Sequence, residues 1–167
     1  MATVVVDTPI GPLTVEAVPA GVRRVAFGAR PSLAVDDTSP DAMAIARRAA
    51  DELEEYFAGT RTQFGVPLDW SVTGGFRAEV LAALAEVPYG EVLTYGELAE
   101  LAGRPGAARA VGTTMATNPW AVLIACHRVV RAGGQLGQYG AGVEVKQQLL
   151  HLEGRARVSS TRRRPVP

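Results

Sequence analysis

Thr94-Tyr-Gly-Glu-Leu-Ala-Glu-Leu101, Ala102-Gly-Arg-Pro-Gly106 and Ala107-Ala-Arg-Ala-Val-Gly-Thr-Thr-Met-Ala116 form one continuous stretch that decides the architecture. Thr94 is a capping residue, and the residues after it predict a short helix through Leu101. Gly103-Arg-Pro-Gly106 makes a turn, and Ala107 to about Ala116 reads as the next helix. Two short helices around a glycine-containing turn suit a helix-turn-helix. Many small helical domains contain such a pair without binding DNA, so the pattern alone leaves the partner open.

Working outward, Phe76 to Glu86 places Phe76, Val80, Leu81 and Leu84 on one helix face, closed by Val87-Pro-Tyr-Gly90. Val145 to Glu153 predicts a last helix. Thr73-Gly-Gly75 is the best internal boundary. Before it the pattern changes to strands over Thr3–Val6, Leu13–Val18 and Val22–Phe27, with turn signals at Pro9-Ile-Gly-Pro12 and Gly21. Residues 29–40 read as a surface loop. Asp41 is expected to cap a helix to about Ala58, with Ala44, Ile45, Ala49, Leu53 and Phe57 at helical spacing. Gln63–Trp70 is a candidate further strand. The expected division is therefore an α/β domain over 1–72, a mostly helical domain over 73–154 and a basic, disordered tail over 155–167 carrying Arg162-Arg-Arg164.

Composition excludes several classes. Apolar residues are 47% and charged residues 20%, as in globular chains, and no apolar run approaches the ~20 residues of a membrane span. The start of the chain shows neither a basic leader nor a cleavage site. One cysteine allows no internal disulfide and no cysteine-based metal cluster, so a reducing, cytoplasmic setting is expected. Net charge is zero, yet Leu101 to Val143 contains no acid while holding Arg104, Arg109, His127, Arg128 and Arg131. That is either a locally positive surface or a chance gap in a buried region.

Trp120-Ala-Val-Leu-Ile-Ala-Cys-His-Arg-Val-Val130 reads as a buried apolar strand interrupted by three polar or reactive groups. A thiol with pKa ~8.5 is a poor nucleophile until an imidazole or a positive charge favours the thiolate. Neighbours on an extended chain point to opposite sides, so adjacency does not pair Cys126 with His127. Local features leave two readings: a reactive thiol, or a small buried hydrophobe.

The wider context resembles one family. Asn118-Pro119, Cys126-His-Arg-Val129, Gly137-Gln-Tyr-Gly140 and Lys146 to Glu153-Gly154 follow one another as in the O6-alkylguanine-DNA alkyltransferases. Val87-Pro-Tyr-Gly-Glu-Val-Leu-Thr-Tyr-Gly-Glu-Leu-Ala99, Gly106-Ala-Ala-Arg-Ala-Val-Gly112 and Thr8-Pro-Ile-Gly-Pro-Leu13 extend the likeness. The resemblance implies a small ribonuclease-H-like α/β domain followed by a winged-helix-like, helix-turn-helix domain. It implies a suicide repair protein that moves an alkyl group from O6-alkylguanine, and from O4-alkylthymine, irreversibly onto Cys126. The partner would be double-stranded DNA bound through the minor groove, with no cofactor, no metal and no membrane. A monomer is expected, with cooperative binding on DNA as an alternative.

Residue by residue, the resemblance makes His127 a base acting through a water and Glu153 its orienting carboxylate. Tyr95 becomes the donor to the departing base and Asn118 the organiser of the turn. Arg109 would fill the gap left by a flipped nucleotide, which offsets part of the unstacking cost. Thr94, Ala108, Ala110 and Gly112 would let DNA approach, and Met115, Val129, Tyr139 and Gly140 would line the base pocket. Arg128 and Lys146 are assigned to structure. Three positions depart from the family: Ala125 where proline is usual, Ala141 where glycine is usual, and Leu81 where many relatives carry Trp. Ala141 would be strained if its φ were positive. A binding-only relative without transfer and a cysteine hydrolase are the rival readings.

Overall fold

The computed structural model describes residues 1–30 and 39–154. The middle of the expected 29–40 loop and the whole basic tail lie outside them. The chain forms two compact units: Met1–Val72 with Pro119–Leu123, and Thr73–Asn118 with the chain from Ile124. The five-residue return of Pro119–Leu123 to the first unit is marked by no shift in composition.

In the first unit, β1 (Ala2–Val6), β2 (Leu13–Val18) and β3 (Gly21–Phe27) form an antiparallel sheet in the order β1-β2-β3. Alternation fixes the register: Leu13, Val15 and Ala17 are buried, and α1 (Pro40–Phe57) packs on β1 and β2. The buried stripe of α1 is Ala42, Ala46, Ala49, Ala50, Leu53 and Tyr56. Ala44 is exposed and Phe57 only half-buried, so the helix is turned from the face its larger side chains suggested. Asp41 does not cap it. Ser39 is the N-cap, without a side-chain bond, and Pro40 starts the helix, where its missing N–H costs nothing.

Gln63–Trp70 is not a strand beyond a single bridge of Leu68 to Val22. Glu52 takes the N–H groups of Gly65 and Val66, at 3.0 and 3.1 Å, so those donors are unavailable to a ladder. Trp120 anchors the returning segment within this unit: its indole donates to the Val22 carbonyl at 2.7 Å, and the Val25 N–H donates to Pro119.

The second unit is mostly helical, with α2 (Gly75–Ala85), α3 (Tyr95–Leu101), α4 (Ala108–Ala116) and α5 (Val143–Leu152). A full capping box starts α3: Thr94 Oγ1 accepts from the Glu97 N–H and the Glu97 carboxylate accepts from the Thr94 N–H. A two-stranded parallel ladder joins β4 (Leu93–Thr94) to β5 (Val129–Val130). No helix among the described residues is long and apolar enough to cross a membrane.

The apolar run 120–130 is not one strand. Its backbone closes two three-residue turns, Leu123 N–H to Ala121 and Cys126 N–H to Ile124, both at 2.8 Å. Val122, at the centre of the first, has φ 67°, a strained value for a β-branched residue. Ala141 is not at positive φ; the adjacent Gly142 is, at 101°. The substitution of alanine there therefore stores no backbone strain.

Candidate active site

Cys126 opens a 3-10 turn, Cys126–Arg128, which leads directly into β5. The turn places the three reactive side chains in different surroundings, which an extended chain would not have done. Before it, Ala125 has φ −78° and ψ 65°, the inverse γ-turn closed by the Cys126 N–H. That φ lies within the range of proline, and the Ala125 N–H donates to no group among the described residues. Alanine thus keeps the turn geometry.

The sulfur is buried and faces a cavity of about 830 Å³. Burial raises its thiol pKa, and hydrogen bonds from Asn118 and Tyr139 and the positive charge of Lys146 offset only part of that rise. The Asn118 amide also donates to the Ile124 carbonyl at 2.9 Å, tying the end of α4 to the turn before Cys126. Tyr139 is held well above its usual pKa by burial and by the sulfur, so its hydroxyl stays protonated as a donor.

His127 is completely buried. Its Nε2 lies 2.8 Å from Glu153 Oε2. Burial would raise the Glu153 pKa, but the His127 and Arg128 bonds and charges outweigh it and hold the carboxyl well below the usual range. An ionised Glu153 accepts, so Nε2 carries the proton of the neutral ring; burial lowers the His127 pKa and favours that neutral form. The lone pair is then on Nδ1, a buried atom with no partner among the described residues. No direct hydrogen bond joins the ring to the sulfur. Arg128 Nε and a terminal guanidinium nitrogen grip Glu153 at 2.8 and 3.0 Å, and the other terminal nitrogen donates to Val87 at 2.7 Å. The Gly90 N–H adds a bond to the same carboxylate at 3.3 Å. Arg128 therefore tethers the active-site turn to the end of α5 and to the loop before β4.

The cavity brings together most of the predicted residues: Thr94, Tyr95, Ala108, Arg109, Gly112, Met115, Tyr139 and Gly140 line it with Cys126. Burial, then the sulfur, raises the Tyr95 pKa, while Arg131 opposes the shift. Asn118, His127 and Glu153 stand behind the wall rather than on it, and two further predicted residues also fall outside. Ala110 is on the exposed face of α4, and Val129 is fully buried in the β4–β5 ladder, where its carbonyl serves Lys146. Arg131 and Gln138, which sequence reasoning left out, do line the cavity; the acid-free stretch was the only hint of Arg131. The lining contains no Asp or Glu.

Comparison with known proteins gives a consistent picture. Residues 1–70 match the family model described as 6-O-methylguanine DNA methyltransferase, ribonuclease-like domain, and residues 75–155 match the DNA binding domain of the same family. A methylated-DNA–protein-cysteine methyltransferase of Mycobacterium bovis is 43% identical over 151 residues, 89% of each chain. One of Methanosarcina acetivorans is 40% identical over 149 residues, 89% of this chain and 95% of that one. The crystal structure of Mycobacterium tuberculosis OGT in complex with DNA superposes with TM-score 0.77 at 41% identity, covering 89% of this chain and 90% of the other.

Proposed function

Since the chain belongs to the 6-O-methylguanine DNA methyltransferase family, we propose that it repairs alkylated DNA by moving the alkyl group of O6-alkylguanine onto Cys126, once per molecule. O4-alkylthymine is the expected second substrate. The observation that carries this reading is the acid-free cavity with Cys126 on its wall and donor hydroxyls from Tyr95 and Tyr139 beside it. Residues 73–154 are read as the DNA-binding and transfer domain.

The thiol proton passes to His127 Nδ1 through a water, and Glu153 stabilises the ring as it becomes positive. The sulfur then attacks the alkyl carbon in line. The new S–C bond forms as the C–O6 bond breaks, and its electron pair stays on the guanine. Tyr95 donates a hydrogen bond to the departing base, and the proton that His127 took from the thiol returns through water to complete a neutral guanine. The net change is one thiol and one alkylguanine to one thioether and one guanine, so no cofactor is required. A thioether is not reversed by thiol exchange, which makes the protein single-use.

For DNA, α4 is the approaching helix, entering the minor groove with Arg109 filling the vacated stack. Gly112 supports this. Glycine inside a helix costs about 1 kcal/mol against alanine, and a Cβ there would meet nothing within 4 Å in the chain itself. The fold does not require it, whereas close approach by a partner does. We read the protein as a monomer, with cooperativity along DNA as the alternative. We place it in the cytoplasm, because a lone thiol that must stay reduced needs a reducing compartment.

The deciding experiment is intact-mass analysis after incubation with a duplex containing O6-methylguanine. One added methyl on the Cys126 peptide, absent in Cys126→Ala, is the expected result. Tight lesion binding with no mass change would move the protein to the binding-only class.

A further inference from the structure

Lys146, on α5, is fully buried. Its Nζ donates to the carbonyls of Val129 at 2.6 Å, Leu136 at 2.5 Å and Gln138 at 3.4 Å. Three acceptors use all three N–H bonds of an ammonium; a neutral amine has only two and would turn a lone pair toward a carbonyl. One acceptor is on β5, three residues after Cys126. The other two flank Gly137, immediately before Tyr139. The side chain thus ties the loop carrying Tyr139 to the strand that leaves the nucleophile.

Lys146 also has no carboxylate partner among the described residues. A buried cation without an anion is costly, since carbonyl dipoles only partly replace water. The titratable groups that face it are Cys126 and His127 on the 3-10 turn and Arg131 after β5. Of these only Cys126 can become an anion, and its negative form adds to the three carbonyl bonds in favouring the charged lysine.

We propose that Lys146 is a positioning residue for the transfer reaction, whose ammonium holds the Tyr139 loop against β5 and serves as the counter-ion of the Cys126 thiolate. This rests on the alkyl-transfer reading but is testable apart from it. Burial lowers the Lys146 pKa to about 8, so the charge is present below that pH and is lost above it. Methyl transfer should therefore rise with pH as the thiol ionises and fall again on the alkaline side as the ammonium is lost.

The test measures two rates against pH in the full-length wild type, Lys146→Met and Lys146→Arg. One is reaction of Cys126 with iodoacetamide, without DNA; the other is methyl transfer from an O6-methylguanine duplex. In Lys146→Met the iodoacetamide midpoint should move up by about one unit, a tenfold loss of thiolate at fixed pH. Transfer should fall by roughly a hundredfold, as expected when a donor is also misplaced by about 1 Å. The Kd for undamaged duplex should change far less than the transfer rate, because the bonds of Lys146 go to β5 and the Tyr139 loop and none goes to α4. Lys146→Arg, which cannot lose its charge in this range, should restore the iodoacetamide midpoint and abolish the alkaline fall. An unshifted iodoacetamide midpoint in Lys146→Met, or an alkaline fall that survives in Lys146→Arg, overturns the proposal. Should Lys146→Met not fold, the Lys146→Arg profile decides alone. Should the wild type transfer no methyl group, the functional reading fails while the iodoacetamide midpoints still judge Lys146.

Discussion

Leu53 and Glu153 are both buried, one in each compact unit, and different forces keep them there. Around Leu53 the surroundings are apolar: α1 lies on β1 and β2 through alanines, Leu53 and Tyr56. Such contacts contribute in proportion to the area each removes from water. Around Glu153 the surroundings are ionic, with His127, Arg128 and the Gly90 N–H all bound to one carboxylate. That arrangement is worth having only when complete, because deleting one partner leaves another desolvated and unpaired. Truncation around Leu53 should lower stability alone, whereas substitution around Glu153 should take structure and chemistry together.

Substitutions test this contrast. Glu153→Gln should have the larger effect, destabilising by about 3–5 kcal/mol as Arg128 is left without its anion. Methyl transfer per folded molecule should drop with it, since His127 loses the group that fixes its tautomer. Chemical denaturation combined with the intact-mass assay reads both, and stability near wild type would show that the network contributes little. The wild type offers a pH version of the same test. The folded pKa of Glu153 lies below its unfolded value, so its contribution is complete above the ordinary carboxylate range and is lost as pH falls through and below it. Glu153→Gln should flatten that acid limb.

Leu53→Ala should cost about 2–5 kcal/mol through the cavity it leaves, with the transfer rate of the folded fraction unchanged. A fall in that rate would blur the distinction between the units. The smallest effect is expected from Ala125→Pro. With φ already at −78° and no bond from its N–H, proline should stabilise by about 0.4–1 kcal/mol, seen as a raised denaturation midpoint with transfer no slower than wild type. A loss of stability would mean that the turn before Cys126 requires a conformation closed to proline.

Legibility followed the range of the interaction. The α3 start was readable because Thr94 and Glu97 satisfy each other three residues apart. The three strands were readable from alternation and turn residues, and the sheet pairs them in chain order. The errors fell where distant partners compete for backbone groups. Gln63–Trp70 had strand-like composition, but Glu52 of α1 took two of its donors. The apolar run before Cys126 looked extended, but two tight turns fold it and its first residues bond to β3. The face of α1 was misjudged because small alanines, rather than Ile45 and Phe57, lie deepest.

By itself the sequence determined the chemistry this protein carries: one thiol, a histidine and an arginine beside it, and the ordered motifs of a known family. Side-chain identity and local capping depend on neighbours within a few residues, so one dimension suffices for them. Only the tertiary structure decided how those groups are used. Glu153 meets Arg128 and His127 from 25 and 26 positions away. Lys146 reaches the carbonyl of Val129 across 17. Burial and partner geometry set pKa values, and both arise when separate segments exclude water from the same volume. That is why the cysteine could be singled out from the sequence, while its proton acceptor's lone pair and its counter-ion appeared only in the fold.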